Sequence, residues 1–256
     1  MKNVLIYFVG TAGSGKSYLT TAFQQWVHSQ GFNTVTVNLD PGVEYLSYAP
    51  DVDIRDWLVL GDIMKEQNLG PNGAQIACAD MLAFKINEVK DILETYRTDY
   101  ILIDTPGQLE LFTFRKSSTY IIDQLGPDRS VMVFLFDPFI SKSPTGFISQ
   151  MLMSATTQFR LPIPTVNVLS KIDMLEEDEL ENVKNWSEDP NLLENVMIDE
   201  NPNVNTQMNL ELFRVLEDME LYKGLIPISA ETRVGMEDVY NAIQQIHFGG
   251  EDLESD

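Results

Sequence analysis

The run Val4-Leu5-Ile6-Tyr7-Phe8-Val9-Gly10-Thr11-Ala12-Gly13-Ser14-Gly15-Lys16-Ser17 sets the architecture of the chain. Its apolar half is too short to cross a bilayer and reads as a buried strand. Leu19, Ala22, Phe23, Trp26 and Val27 then recur at helical spacing until Gly31. A strand, a glycine-rich turn and a helix are the context that gives the pattern G-x-x-x-x-G-K-[ST] its meaning as a phosphate loop. A plain strand-helix turn would explain the glycines but not Lys16-Ser17. Gly10, Ala12, Gly13, Ser14, Gly15, Lys16 and Ser17 are therefore assigned to a nucleotide's phosphates: the curled backbone and the helix N-terminus offer N–H groups, Lys16 bridges the β- and γ-phosphates, and the Ser17 hydroxyl ligates Mg²⁺.

Outward from this motif, β-type runs alternate with helical patterns: Thr34 to Leu39, Tyr100 to Ile103, Val131 to Phe136, Thr165 to Leu169 and Leu225 to Ile228. That alternation predicts an α/β protein with the three-layer P-loop NTPase fold, a mainly parallel central sheet and helical insertions, in one domain over residues 1–248. Residues from about 53 to 97 read as a helical insertion interrupted at Gly70-Pro71-Asn72-Gly73, and residues from about 176 to 223 as an acidic insertion. Within the latter, Trp186 to Met208 is asparagine-rich and holds Pro190 and Pro202, which predicts an irregular surface stretch. Residues 249–256 read as a short acidic tail, frayed at the end of the domain.

The formal net charge is −22, and most of it falls between Glu176 and Asp256, away from the phosphate motif. Such acidity repels a phosphate backbone, so no nucleic-acid partner is expected. Cys78 is the only cysteine, which excludes a disulfide framework or a cysteine-built metal site within one chain and suits a reducing cytoplasm. No targeting segment and no membrane span are read.

Asp104-Thr105-Pro106-Gly107-Gln108 follows the strand that ends at Ile103, so Asp104 projects from a strand's carboxyl end beside the phosphate loop and reaches Mg²⁺ through water. Gly107 can turn its N–H to the γ-phosphate, and Gln108 stands where a water-orienting glutamine is wanted. Asp40 also ends a strand, before Pro41-Gly42; its carboxylate is placed in the metal's water shell or on the attacking water, the plainer alternative being an aspartate that opens a turn. The metal set is thus Ser17, Asp40 and Asp104.

Ser170-Lys171-Ile172-Asp173 follows another strand and resembles the guanine-reading Asn-Lys-x-Asp motif, with serine in place of asparagine. A carboxylate accepts from guanine N1–H and the exocyclic amine, whereas adenine offers an acceptor at N1 and no such amine, so Asp173 selects guanine. Lys171 lays its aliphatic stem along the base. Ser229-Ala230, after the last strand, supplies a backbone N–H to guanine O6.

Together, Gly10 to Ser17, Asp40, Gly70-Pro71-Asn72, Asp104 to Gln108, Ser170 to Asp173 and Ser229-Ala230 resemble the GPN-loop GTPases, most of all an archaeal member, from Lys2 to about Phe248. The resemblance implies a GTPase with GTP as substrate, GDP as product and Mg²⁺ as cofactor. It also implies the dimeric branch of P-loop proteins, acting as a homodimer or with a close paralogue, and a cytoplasmic role in assembling RNA polymerase or similar complexes. Thr11 departs from the lysine that several of that branch carry after the first loop glycine. The resemblance makes Gly70-Pro71-Asn72 the element that enters the partner subunit's site instead. Pro71 stiffens the loop and the Asn72 amide can donate to a phosphate oxygen; the alternative is a turn whose Asn72 caps the next helix. The catalytic set is then Gln108, Asp40, Asn72, Asp104 and Lys16.

Other residues read as structural. His28 and His247 lie in helical patterns, Cys78 is a small helix residue, and Glu176 to Glu181 is a solvated helix face. Phe147, Ile148, Met151 and Leu152 form a core face, with a repackable partner groove as the alternative. Two other functions compete with the switch: a non-enzymatic scaffold that uses GTP to fix its dimer, and a P-loop kinase of nucleotides or polynucleotide ends.

Overall fold

The computed structural model describes residues 3–200, 204–219 and 224–249. β1 (Val4–Gly10) is buried along its whole length and feeds both sides of the sheet: Leu5, Tyr7 and Val9 enter one apolar cluster, Val4, Ile6 and Phe8 the other. That is the signature of a central parallel strand covered on both faces. β2 (Thr34–Asn38), β3 (Val52–Asp53), β4 (Tyr100–Asp104), β5 (Ser130–Phe136), β6 (Thr165–Leu169) and β7 (Ile226–Pro227) complete a seven-stranded sheet in the order β3-β2-β4-β1-β5-β6-β7. Every neighbouring pair is parallel. The expected strands are all present; β3, only two residues long, carries too little pattern to be read from sequence.

The helices in chain order are α1 (Lys16–Ser29), α2 (Leu60–Glu66), α3 (Pro71–Leu93), α4 (Leu109–Thr113), α5 (Lys116–Leu125), α6 (Pro138–Ser141), α7 (Pro144–Arg160), α8 (Glu177–Glu188), α9 (Pro190–Glu200), α10 (Val204–Asp218) and α11 (Met236–Phe248). On one face α1 and α11 bury Leu19, Phe23, Val239 and Ile243 against β1, β4 and β5. On the other, α3, α5 and α7 bury Leu82, Ile86, Ile121, Phe147 and Met151. The three layers are therefore as expected, and the Phe147-Ile148-Met151 stripe is core. None of the described helices is long and apolar enough to cross a membrane.

Trp186 to Met208 differs from the sequence reading. Its described part is helical, because Pro190 occupies the first turn of α9, where a missing N–H costs nothing, instead of breaking a helix. Leu193 and Met197 of α9, Trp186 of α8, and Phe213 and Leu216 of α10 all join the main core cluster. Each such burial stabilises by about 1.5–3 kcal/mol, enough to fold the segment onto the domain. Pro202 and residues 250–256 of the acidic tail lie outside the described residues. The acidic run at Glu176 starts α8 with a capping box: Glu176 accepts from the Glu179 backbone and the Glu179 side chain from the Glu176 N–H.

β1 lies between β4 and β5, so the chain crosses from β1 to opposite halves of the sheet around it. A crevice opens at the carboxyl ends of the strands at such a reversal point.

Candidate active site at the carboxyl edge of the sheet

β1 ends at Gly10, where a Cβ would stand 2.9 Å from the Leu135 carbonyl oxygen and 2.8 Å from Ser14 Oγ, so glycine is required for the loop to leave the sheet beside β5. Gly15 adopts φ 98° and starts α1 without a side-chain cap. The first-turn N–H groups are left for a ligand. They border a pocket of about 420 Å³ that is also lined by Gly13, Lys16, Ser17, Asp40, Asp104 and Gly107.

Lys16 is buried, and its Nζ donates to the carbonyl oxygens of Gly10 at 3.0 Å, Thr11 at 3.0 Å and Gly107 at 2.9 Å. Burial pushes its ammonium down to about 8, opposed by the charges of Asp104 and Asp40. Asp104 closes β4 at 2% exposure. Burial pushes its carboxyl up to about 6, against hydrogen bonding from Ser17 and the nearby Lys16 charge. Its Oδ2 accepts from the Tyr48 hydroxyl at 3.2 Å, while its buried Oδ1 has no hydrogen-bond partner. A buried carboxylate oxygen without a partner, with the Ser17 hydroxyl and Asp40 on the same pocket wall, is a hard-oxygen donor set that fits Mg²⁺. Among the described residues no group of three or more His, Cys, Asp or Glu gathers to hold a metal alone, so phosphate oxygens and water would have to complete the shell.

Asp40 is held at both ends. Its N–H donates to Asn38 Oδ1 at 3.0 Å, and Asn38 Nδ2 donates to the Asp40 carbonyl oxygen at 3.2 Å and to Asp53 Oδ1 at 2.9 Å. The Asp40 carboxylate accepts from the Gly42 N–H at 2.8 Å and from the Gly107 N–H at 2.7 Å. Arg55 clasps Asp53 at 2.6 Å and donates to the Val43 carbonyl oxygen at 3.1 Å, which ties the loop after Asp40 to the edge of the sheet. Burial works to raise the Asp53 carboxyl, but hydrogen bonds from Arg55 and Asn38 outweigh it and hold it below its ordinary value.

Gln108 precedes α4, and its Nε2 donates to Gln75 Oε1 of α3 at 3.2 Å. Gly70, Pro71 and Asn72 form the start of α3: Gly70 is the N-cap without a side-chain bond, Pro71 the first helical residue, and Asn72 an exposed member of the first turn. Asn72 therefore does not cap the helix. None of the three lines the chain's own phosphate pocket.

A second pocket, of about 170 Å³, adjoins the first and is lined by Gly15, Tyr18, Lys171, Asp173, Met174 and Ala230, among others. Lys171 stands at φ 50° and reaches back to donate to the Gly13 carbonyl oxygen, its Cε 3.2 Å from where a Cβ on Gly15 would lie. Ser170 Oγ donates to the Phe136 carbonyl oxygen at 2.9 Å, so the serine secures the end of β5. The Ser229 hydroxyl donates to Asp173 Oδ1 and accepts from the Thr232 N–H at 3.0 Å. The Ser229 N–H donates to the Val234 carbonyl oxygen at 3.1 Å. It is thus committed, and the Ser229 hydroxyl has a different part, that of fixing the Asp173 carboxylate.

The structure thus brings Lys16, Ser17, Asp40, Asp104 and Gly107 around one pocket and Lys171, Asp173 and Ala230 around the next. Gln108 adjoins them through Gly107, and Gly70-Pro71-Asn72 stand apart. Sequence reading misses Asn38, Tyr48, Gln75 and Tyr18. Tyr18, directly after Ser17, is 70% exposed and lines both pockets; its place beside the phosphate motif is the one signal in the sequence that marks it. His28, by contrast, is satisfied by Thr34 Oγ1 at 2.6 Å.

A seven-stranded parallel sheet with this phosphate loop and strand-end carboxylate defines a P-loop nucleotide-binding protein. The family described as "Conserved hypothetical ATP binding protein" matches residues 8–248. A GPN-loop GTPase of Pyrococcus abyssi is 33% identical over 92% of this chain and 94% of its own length. GPN-loop GTPase 1 of Dictyostelium discoideum is 30% identical over 93% of this chain, which spans only 60% of that longer relative. The crystal structure of a Pyrococcus abyssi GTPase in apo form superposes with a TM-score of 0.86 at 32% identity, covering 96% of this chain and 98% of that one. The chain belongs to the GPN-loop GTPase family, and the expected likeness to an archaeal member holds.

Proposed function

We propose that the chain is a dimeric molecular switch that binds GTP with Mg²⁺ and hydrolyses it to GDP and phosphate. The observation that carries this is the set of substitute contacts in the phosphate pocket: the Gly107 N–H, suited to a γ-phosphate oxygen, donates to Asp40, and Lys16 Nζ, suited to the phosphates, donates to Gly107 and the loop carbonyls. An incoming γ-phosphate takes over both donors and releases the Asp40 carboxylate. Asp40 and Gln108 then hold a water in line with the γ-phosphorus. The water oxygen forms the new bond to phosphorus as the bridge to the β-phosphate breaks, the electron pair leaves with GDP, and the water's proton passes to the site's acceptors and out with the phosphate. Ser17 and Asp104 would hold Mg²⁺, which would supply charge stabilisation to the phosphates.

Guanine is favoured over adenine because Asp173 presents a fixed acceptor in the second pocket. Asn72 is exposed and off its own phosphate pocket, which supports its acting on the partner subunit's nucleotide in a homodimer. The cytoplasmic role in assembling RNA polymerase or similar complexes belongs to the same proposal and rests on family likeness alone. Phosphate release from GTP and Mg²⁺ with no other acceptor present, compared with ATP, tests the reaction; equal turnover of ATP would overturn the base assignment. For the trans role, Lys16→Ala and Asn72→Ala chains are mixed. Their mixed dimers contain one site with an intact Lys16 facing an intact Asn72, so activity should return above the sum of the separate variants. If tagged chains exchange and no activity returns, Asn72 does not act across the dimer.

A further inference from the structure

Gln75 has no part in the motifs, yet it is the side chain that touches Gln108. It lies on α3 one turn after Asn72, and the same helix buries Ala74, Cys78, Ala79 and Leu82, so its backbone is firmly seated. Its Nε2 lies 3.6 Å from where a Cβ on Gly42 would stand, two residues after Asp40. The Gln75 amide thus sits between the Asp40 loop and Gln108.

From this we infer that Gln75 is a positioning residue that fixes which face of the Gln108 amide meets the attacking water. The inference rests on the proposed role of Gln108. Gln108 has a flexible side chain whose amide could present either its oxygen or its nitrogen to the site. Gln75 Oε1 accepts from Gln108 Nε2 at 3.2 Å, which turns the nitrogen towards α3 and leaves Oε1 to accept a proton from water. An amide held in one orientation beforehand avoids losing that freedom in the transition state. Because Gln75 belongs to the first turns of α3, it also ties the orientation of Gln108 to the helix that begins at Gly70-Pro71-Asn72.

The test is single-turnover hydrolysis at saturating GTP and Mg²⁺ for the wild type, Gln75→Leu, Gln75→Glu, Gln108→Ala and the Gln75→Leu/Gln108→Ala pair. Loss of one neutral hydrogen bond predicts that Gln75→Leu slows the step about two- to tenfold, with GTP affinity unchanged. Gln75→Glu keeps an acceptor and should restore the rate. Once Gln108 is gone, Gln75→Leu should cost nothing more, an interaction that a purely structural role would not give. The inference is overturned if Gln75→Leu runs at the wild-type rate, if Gln75→Glu is no better than Gln75→Leu, or if the Leu effect appears in full on top of Gln108→Ala. A Gln108→Ala chain as fast as the wild type would instead remove Gln108 itself from the mechanism, and the inference with it.

Discussion

Replacing Asp173 by asparagine exchanges one oxygen for an NH₂ group, and the structure decides which one. The Ser229 hydroxyl is held by the Thr232 N–H at 3.0 Å and donates to Asp173 Oδ1. In Asp173→Asn that hydroxyl still wants an acceptor, so it captures the amide oxygen and swings the NH₂ towards the base. Guanine then meets a donor with its own N1–H and amine. Losing a charge-assisted hydrogen bond costs about 1.5–3 kcal/mol, or about 10- to 150-fold in affinity, and the opposed donors push towards the upper end. Xanthine carries a carbonyl where guanine carries the amine, so the same variant should gain affinity for xanthosine diphosphate. Displacement of a fluorescent GDP by GDP, xanthosine diphosphate and ADP at fixed Mg²⁺ reads all three. Adding Ser229→Ala frees the amide to rotate, so the double variant should recover part of the lost GDP affinity. If Asp173→Asn binds GDP as tightly as the wild type, or if the wild type binds ADP as well as GDP, the carboxylate does not read the base.

Two further outcomes are expected. Burial lowers Lys16 from 10.5 to about 8, so the unfolded chain holds that proton more tightly between those values and the folded protein gains stability as pH rises through them; Lys16→Met should bind no nucleotide and should lose this alkaline gain in denaturant titrations, and a slope equal to the wild type's would show that Lys16 is not desolvated. Tyr18 lines both pockets, so Tyr18→Ala should weaken GDP about two- to tenfold while leaving pyrophosphate binding alone and Tyr18→Phe near wild type; an equal loss for pyrophosphate would place the ring on the phosphates instead.

The sheet and the charged residues of the site were legible for different reasons. The strands of the sheet's interior are buried on both faces and show up as apolar runs, whereas two-residue β3 has no run to show. Lys16, Asp104 and Asp173 are legible because each belongs to a motif that follows or closes a strand and whose chemistry needs that residue type. Asn38, Tyr48 and Gln75 were invisible because nothing local marks them; their work is defined by partners such as Asp53, Asp104 and Gln108, far away in sequence. The sequence marks Ser229 for its backbone, but its N–H donates to the Val234 carbonyl oxygen and its hydroxyl is the group that reaches Asp173. Pro190 misled because a proline breaks a helix from inside and suits one at its first turn, a distinction of a single position.

What the site lacks in hydrogen-bond economy explains how it can respond to a nucleotide. Lys16 is buried among carbonyl oxygens, Asp104 keeps an unpartnered oxygen at 2% exposure, and Asp40 accepts the Gly107 N–H. The first two cost stability relative to a core of matched apolar groups, whereas the half-buried Asp40 is held by two backbone N–H bonds. On the proposed mechanism each arrangement meets one ligand: the phosphates would give Lys16 a full negative partner, a hard cation would satisfy Asp104, and the γ-phosphate would compete with Asp40 for Gly107. GDP can relieve the first two but not the third. On the proposed mechanism the contact between Asp40 and Gly107 would tell GTP from GDP, and it joins the loop that Arg55 anchors at Val43 to the segment that carries Gln108. Breaking it with Asp40→Ala should narrow the difference in protease susceptibility of those two segments between the GTP-analogue and GDP states, and an undiminished difference would place the γ-phosphate sensor elsewhere.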